Sequence, residues 1–247
     1  VKYSILQWNI WYQERAARVL EVLREVDADV LLLQEVTING EANRGIHVGQ
    51  YLAQALGYDL HYVPRQSYGV GADQSMDGSA ILSRFPLLSR DSAFIRRGTG
   101  TVGDFTDENR TYAEASCLID GRTRSFATTH LSYSHRFEMT QKKEDDLAAL
   151  LRSIGSSRRS YIFAGDLNTE ADSLIIRGIA KQLVHAGPPI QEKTWTTKPF
   201  DYNGFTETEL HWRLDYVFHS KDLQVESSRI LQVDASDHLP ILTTFAA

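Results

Sequence analysis

Apolar, strand-like runs in this chain end repeatedly on side chains that bind cations or move protons. The run over 3–8 leads to Asn9, 30–33 to Gln34 and Glu35, 125–129 to His130, and 161–164 through Gly165 to Asp166 and Asn168. Asp215 sits inside RLDYVF, and Asp237 and His238 stand in SDHLP just ahead of a last apolar run. Taken singly, each has an ordinary explanation: Asp and Asn start turns and helices, a glutamate faces solvent, a buried imidazole finds a partner. Taken together, they place many ionisable or amide groups beside buried strands, where an unpaired charge is costly. A divalent cation offsets that cost by acting as the shared partner. Carboxylate and amide oxygens with imidazole and no thiolate suit Mg2+ or Mn2+ better than structural zinc, and such a hard ion works with phosphate oxygens of a substrate. The chemistry indicated is phosphoryl chemistry.

The elements that must position these groups can be read from periodicity. KYSILQW alternates as a strand does, and Ala16, Val19, Leu20, Leu23 and Val26 recur at helical spacing over 15–26. ADVLLLQEV reads as a buried strand, GIHVGQYLAQALG as a helix stopped by Gly57, and YDLHYVP as a strand ended by Pro64. Polar, Gly-rich stretches over 65–78 and 96–109 read as surface loops on either side of the strand SAILS. RTYAEASCLIDGRTRSFATTHL is a hairpin turning at Asp120-Gly121. Helices are expected over 137–154 and 171–183, with the strand SYIFAG between them and three strands closing the chain. Strands and helices fill both halves, with hairpins mixed in, which favours two mixed sheets face to face with helices outside. No linker divides the chain, so one domain over residues 1–247 is expected.

Composition narrows the function classes. No apolar run approaches the roughly 20 residues that span a bilayer, so no transmembrane helix is expected. The net charge of −6 argues against a protein that coats nucleic acid through a general positive field. The charge is uneven: residues 84–159 hold 13 Arg and Lys against 10 Asp and Glu, which leaves room for a local phosphate-binding surface. The one cysteine, Cys117, excludes an intrachain disulfide, fits a reducing, cytoplasmic setting without requiring one, and reads as a small core residue.

QWNI, LLLQEV, GSAILSRFPL, THL, GDLNTE, RLDYVF and SDHLPI occur in the order found in the endonuclease/exonuclease/phosphatase superfamily, the deoxyribonuclease I-like proteins. The resemblance runs from Gln7 to Ile241 and implies a four-layer α/β/β/α sandwich. It also implies roles. Glu35 resembles the principal metal-binding carboxylate, assisted by Asn9 and Asp237. Asp166 and Asn168 resemble the pair that positions the attacking water and binds the scissile phosphate. His238 resembles the catalytic histidine, Asp215 the carboxylate that orients it, and His130 the second active-site histidine. Arg110 stands where several members place a phosphate-binding arginine. The cofactor implied is Mg2+, with Mn2+ as a substitute, and the reaction is in-line attack of water on a phosphodiester.

The substrate is less determined, because one such site serves nucleic acids, phospholipids and inositol phosphates. HWRLDYVF resembles a segment of apurinic/apyrimidinic endonucleases, whereas THL resembles deoxyribonuclease I, tyrosyl-DNA phosphodiesterase and sphingomyelinase-like members. Nucleic acid is therefore expected ahead of phospholipid or inositol phosphate, and the protein is expected to act as a monomer. The aromatic run TWTTKPFDYNGF is read first as packing against the sheet edge, then as a surface for bases or lipid. Trp8 is expected in the core, with Trp11 and Tyr12 as candidates to line the site.

Overall fold

A computed structural model describes residues 2–99, 104–156 and 158–246 of the protein. In chain order its elements are β1 (Lys2–Asn9), α1 (Ala16–Val26), β2 (Val30–Ile38), α2 (Val48–Leu56), β3 (Asp59–Tyr68), β4 (Ser75–Ser83), β5 (Leu87–Arg96), β6 (Arg110–Ile119) and β7 (Arg122–His130). They continue with α3 (Gln141–Ile154), β8 (Tyr161–Asp166), α4 (Leu174–Ala180), β9 (Val184–His185), β10 (Phe200–Tyr202), β11 (Phe205–Glu207), β12 (Asp215–His219), β13 (Val225–Ile230) and β14 (Ile241–Ala246). One six-stranded sheet runs β13-β14-β1-β2-β4-β3, the other β5-β6-β7-β8-β12-β9, and β10-β11 is a separate hairpin.

The layers follow from side-chain alternation. Ile5, Leu32 and Ile81 of the first sheet meet Ala115, Phe126, Ile162 and Val217 of the second in an inter-sheet core. The opposite faces carry Leu6, Trp8, Leu31 and Leu33 under α1 and α2, and Tyr161, Phe163 and Phe218 under α3 and α4. A strand covered on both faces must be apolar almost throughout, which is why LLL and YIFA are unbroken runs. Each fully buried aliphatic side chain contributes roughly 1.5–3 kcal/mol. The α/β/β/α sandwich expected from the sequence is the fold found. Cys117 and Trp8 lie in its cores, each 0% exposed.

Each sheet contains one parallel pair, β1 with β2 and β7 with β8, joined by α1 and α3. Parallel neighbours need such a crossover, and both of their C-terminal ends then lie at the same sheet edge. Asn9 pairs with Gln34 there in one sheet, and His130 with Asp166 in the other. Among the described residues, no helix is long and apolar enough to cross a membrane.

Several boundaries differ from those expected. β3 does not stop at Pro64 but runs to Tyr68, so the loop expected over 65–78 is mostly strand. Pro64 is tolerated because β3 is an edge strand whose register shifts between Pro64 and Gln66. The helix expected from 137 begins at Gln141, because Arg136 and Phe137 have φ values of 51° and 58° and close a short 3-10 turn instead. The Thr140 hydroxyl then accepts from the Lys143 N–H and caps α3. The helix expected over 171–183 is limited to α4, capped by Ser173. Within the loop expected over 96–109, residues 100–103 lie outside the described residues.

Gly165 shows how tightly the second sheet is built where it meets the site. A Cβ there would lie 2.2 Å from the Thr129 carbonyl oxygen on the neighbouring β7. Gly165→Ala is therefore expected to cost about 1–3 kcal/mol of unfolding free energy, the usual cost of overpacking. Urea denaturation measures this, and a loss below about 0.5 kcal/mol, as for a neutral surface change, would contradict the close approach.

Candidate active site

Alternation of period two aims most of the cluster. Beyond Ile5, the residues on its face of β1 are Gln7 and Asn9, and beyond Phe126 those in line with it on β7 are Thr128 and His130. Asp166 follows Ile162 and Ala164, and Asp215 precedes Val217, on the same inward faces. Six polar side chains thus enter the space between the sheets at one end.

Glu35 breaks the alternation. Leu31 and Leu33 point outward to the helices, so an unbroken β2 would send Glu35 outward as well. A bulge between Leu33 and Val36 inserts an extra residue, Glu35 takes a left-handed φ of 57°, and Val36 resumes the outward position. That conformation costs a non-glycine residue about 1–2 kcal/mol and turns the carboxylate toward the other sheet.

Asp166 is the hub. Its Oδ2 accepts from Asn9 Nδ2 at 3.0 Å and lies 3.4 Å from His130 Nε2 and 3.5 Å from His238 Nε2. Its Oδ1 accepts the Asn168 N–H at 2.9 Å. Asn9 Nδ2 also donates to Glu35 Oε1 at 3.0 Å, while its Oδ1 accepts from Trp11 N. His238 Nδ1 bonds Asp215 Oδ2 at 2.8 Å, and Asp237 Oδ2 accepts from Trp195 Nε1 at 3.1 Å. Asn168, itself at φ 48°, donates through Nδ2 to His130 Nε2 at 3.0 Å and to the Leu131 carbonyl. Because Nε2 of His130 accepts, its Nδ1 carries the proton. Among the described residues that buried N–H has no hydrogen-bond partner, and it stands 4.0 Å from Glu35 Oε1.

The electrostatics follow from crowding acids in a buried place. Burial, with Asp237 and Asp77 nearby, pushes Glu35 up to about 8. Burial raises Asp166 to about 6 although His238 opposes it, and burial also raises Asp237. Burial and the fields of Arg110 and Arg65 hold His130 well below the ordinary imidazole value, so it is neutral. Burial acts the same way on His238, but Asp215, Asp166 and Asp237 outweigh it and hold the ring well above its ordinary value. Asp166, Asp215 and His238 present ligand atoms within 4.8 Å of one another among the described residues. The donor set of oxygens and imidazole, with Glu35, Asp166 and Asp237 raised chiefly by burial, fits a hard divalent cation.

Of the nine residues singled out from the sequence, Asn9, Glu35, His130, Asp166, Asn168, Asp215 and His238 form one connected group. Asp237 joins it through the field it exerts on Glu35 and His238. Arg110 is not brought into hydrogen-bond contact with them. It is 1% exposed and donates to the Phe105 carbonyl and to Glu108, which also pairs with Arg65, itself bound to Asp77. Among the described residues its Nε and Nη1 have no partner, and its field reaches His130. Trp11 and Tyr12 act through the backbone, the Tyr12 N–H donating to Glu35 Oε2.

Other contributors had no role assigned from the sequence, although Gln34 was named at the end of its strand. Gln7 and Gln34 exchange hydrogen bonds of 2.6 and 3.0 Å, Gln34 reaches Thr128 Oγ1 at 2.7 Å, and Gln7 reaches Asp215 Oδ1 at 3.2 Å. This network ties the sheets together beneath the acids. Its signal in the sequence is a glutamine at an inward position of a buried strand. Arg213 of WRLDY donates to the Asp215 carbonyl at 2.7 Å and to the carbonyls of Pro189 and Glu192, so it braces the start of β12.

Two mixed sheets flanked by helices, meeting at a buried cluster of acids and histidines, define a class of α/β sandwich hydrolases that act on phosphoester bonds. Residues 6–238 match the model of the Endonuclease/Exonuclease/phosphatase family, and the chain belongs to that family. Its fold is similar to that of an endonuclease/exonuclease/phosphatase from Beutenbergia cavernae, with a TM-score of 0.76 at 19% identity over 99% of this chain and 71% of that one. It is similar to D. rerio TDP2 complexed with single strand DNA product (TM-score 0.73, 20% identity, 100% and 99% covered). It is also similar to the human Nocturnin catalytic domain with bound sulfate anion (0.70, 25%, 99% and 93%). No curated protein matches the chain.

The His238–Asp215 pair generates a pH prediction for the metal-free protein. The folded-state pKa of His238 lies above its unfolded value, so its stabilising contribution is complete below about 6.5 and is lost as pH rises through the folded value. Histidine NMR titration in EDTA should show one ring charged well above neutrality, and Asp215→Asn should bring that ring down. A wild-type protein in which every ring titrates near or below the ordinary value would contradict the pairing.

Proposed function

We propose that the protein is a Mg2+-dependent phosphodiesterase of nuclease type, with Mn2+ able to replace Mg2+. The observation that carries the reading is the convergence of His130 and His238 on Asp166, with Glu35 joined to Asp166 through Asn9 and standing 4.0 Å from His130 Nδ1, which has no hydrogen-bond partner among the described residues. A buried donor without a partner beside a cluster of carboxylates suits a ligand that brings its own anionic oxygens together with a cation. Glu35, Asp237 and the amide of Asn9 would hold the ion. Bound there, it would neutralise charge on the phosphate and the leaving oxygen.

The chain's own residues account for the remaining steps. His130, kept neutral by burial and by the fields of Arg110 and Arg65, donates its Nδ1–H to a non-bridging phosphate oxygen. Asn168 fixes that ring by donating to its Nε2. Asp166, positioned by Asn9 and the Asn168 N–H and raised to about 6 by burial, orients the attacking water and takes its proton. His238, held charged by Asp215, stabilises the negative charge that develops opposite Asp166.

Nucleic acid is favoured over lipid by the packing of the aromatic run. Trp195, Phe205 and Leu214 close on Phe137 in a cluster of their own, and Phe200 and Tyr202 lie half-buried against Tyr133, so β10-β11 offers no apolar hairpin to a bilayer. The bound single strand DNA product of D. rerio TDP2 and the bound sulfate of human Nocturnin support a polyanionic substrate for this chain. A phosphomonoester reading has one specific support, the similarity to a Bacteroides thetaiotaomicron mannosyl-6-phosphatase at 16% identity.

The test is a panel controlled with EDTA: plasmid DNA, abasic and 5′-phosphotyrosyl oligonucleotides, RNA, sphingomyelin, inositol phosphates, mannose 6-phosphate and bis-p-nitrophenyl phosphate. Hydrolysis of nucleic acid and of bis-p-nitrophenyl phosphate should require Mg2+ or Mn2+ and stop with chelator. Glu35→Gln, Asp166→Ala and His238→Ala should each lower kcat by about 10²–10⁴-fold, the range for losing a positioned acid–base or electrostatic group. Inactivity of the wild type on every substrate, or full activity of the Asp166 and His238 variants, would sink the proposal.

A further inference from the structure

Lys143 is 0% exposed on the first turn of α3, a place where a helix ordinarily buries an apolar side chain. Among the described residues it forms no ion pair with a carboxylate. Its ammonium instead donates to two backbone carbonyls, that of Phe137 at 3.1 Å and that of Asn168. Burial opposes the charge and pushes the group down to about 7; Asp166 and Asp146 favour the charged form, and Arg110 works against it. Packing alone would be served more cheaply by Leu or Met.

The two acceptors give the ammonium a purpose. Phe137 and Asn168 both have left-handed backbones, φ 58° and 48°, conformations that need outside support in residues other than glycine. Asn168 holds both Asp166, through its N–H, and His130, through its side-chain amide. The Phe137 ring packs edge-on against Trp195 at 5.1 Å, and Trp195 donates to Asp237. The segments that follow β7 and β8 are therefore pinned to each other, and to α3, through one nitrogen.

We propose that Lys143 is a positioning residue of the phosphoesterase site: by clamping the Phe137 and Asn168 carbonyls it sets where His130 and Asp166 stand. This rests on the roles given above to His130, Asp166 and Asn168. Lys143 touches no substrate, so its loss should lower the rate of the chemical step and leave binding unchanged.

Lys143→Met keeps the length of the side chain and removes every donor; Lys143→Arg keeps charge and donors. With Mg2+ and bis-p-nitrophenyl phosphate, Lys143→Met should keep KM within about twofold and lose about 10–100-fold in kcat, as for a displaced catalytic group. In metal-free protein its Asn168 side-chain amide should shift in ¹H–¹⁵N spectra and its protons exchange faster with solvent. Lys143→Arg should restore part of both. If Lys143→Met does not fold, Lys143→Gln, which keeps an N–H donor without the charge, carries the same comparison against Lys143→Arg. A variant without the ammonium that keeps wild-type kcat, or whose Asn168 amide is unmoved, overturns the clamp. A wild type inactive on every substrate would overturn the reading of the site, while the Asn168 amide would still decide the clamp.

Discussion

Four carboxylates, those of Glu35, Asp166, Asp215 and Asp237, meet at one end of the space between two sheets, and the cost of burying charge there, added to by neighbouring acids, is the constraint that the surrounding structure answers. At an interior position, burial disfavours the charged form of a carboxyl, and a like charge beside it adds to the cost. The protein answers locally with Asn9 between Glu35 and Asp166, with His238 between Asp166 and Asp215, and with Trp195 on Asp237. What these donors leave unbalanced is a demand for positive charge, and that demand makes the cluster suited to a cation and a phosphate together.

Holding such a cluster requires a frame that does not yield. The mutual hydrogen bonds of Gln7 and Gln34, extended to Thr128 and Asp215, join the sheets directly below the acids. Arg213 fixes the start of β12 from outside, and Gly165 lets β8 lie against β7 closely enough to bring Asp166 beside His130. Some of the left-handed backbone lies in the same region, at Glu35, Phe137 and Asn168. Each departure re-aims one side chain or carbonyl that regular structure would have sent elsewhere, and the cost is offset by the packed layers around it.

Much of the fold was legible because burial on two faces leaves few choices of residue. The apolar runs of β1, β2, β7 and β8 mark themselves, and the polar residues at their ends stand out against them. Edge elements were harder. β3 passes through Pro64 because its outer side needs no partner, and the start of α3 is delayed by two left-handed residues whose types, Arg and Phe, give no hint of that conformation. Arg110 illustrates the opposite limit. Its place in the family resemblance suggested phosphate, and only the structure shows that Glu108 and the Phe105 carbonyl, close in sequence, accept from its Nη2.

By itself, the sequence determined which groups are available: carboxylates, amides and imidazoles at or near the ends of buried strands, several of them, such as Asn9, His130, Asp166 and Asp215, at spacings that send them inward by simple alternation. Tertiary structure decided how they are used. The bulge that turns Glu35 into the site, the contact of Trp195 with Asp237, the glutamine bridge and the grip of Lys143 on Asn168 depend on left-handed backbone or on segments far apart in the chain. The physical reason is that alternation is a property of one strand, whereas charge balance belongs to the place where strands from both halves meet.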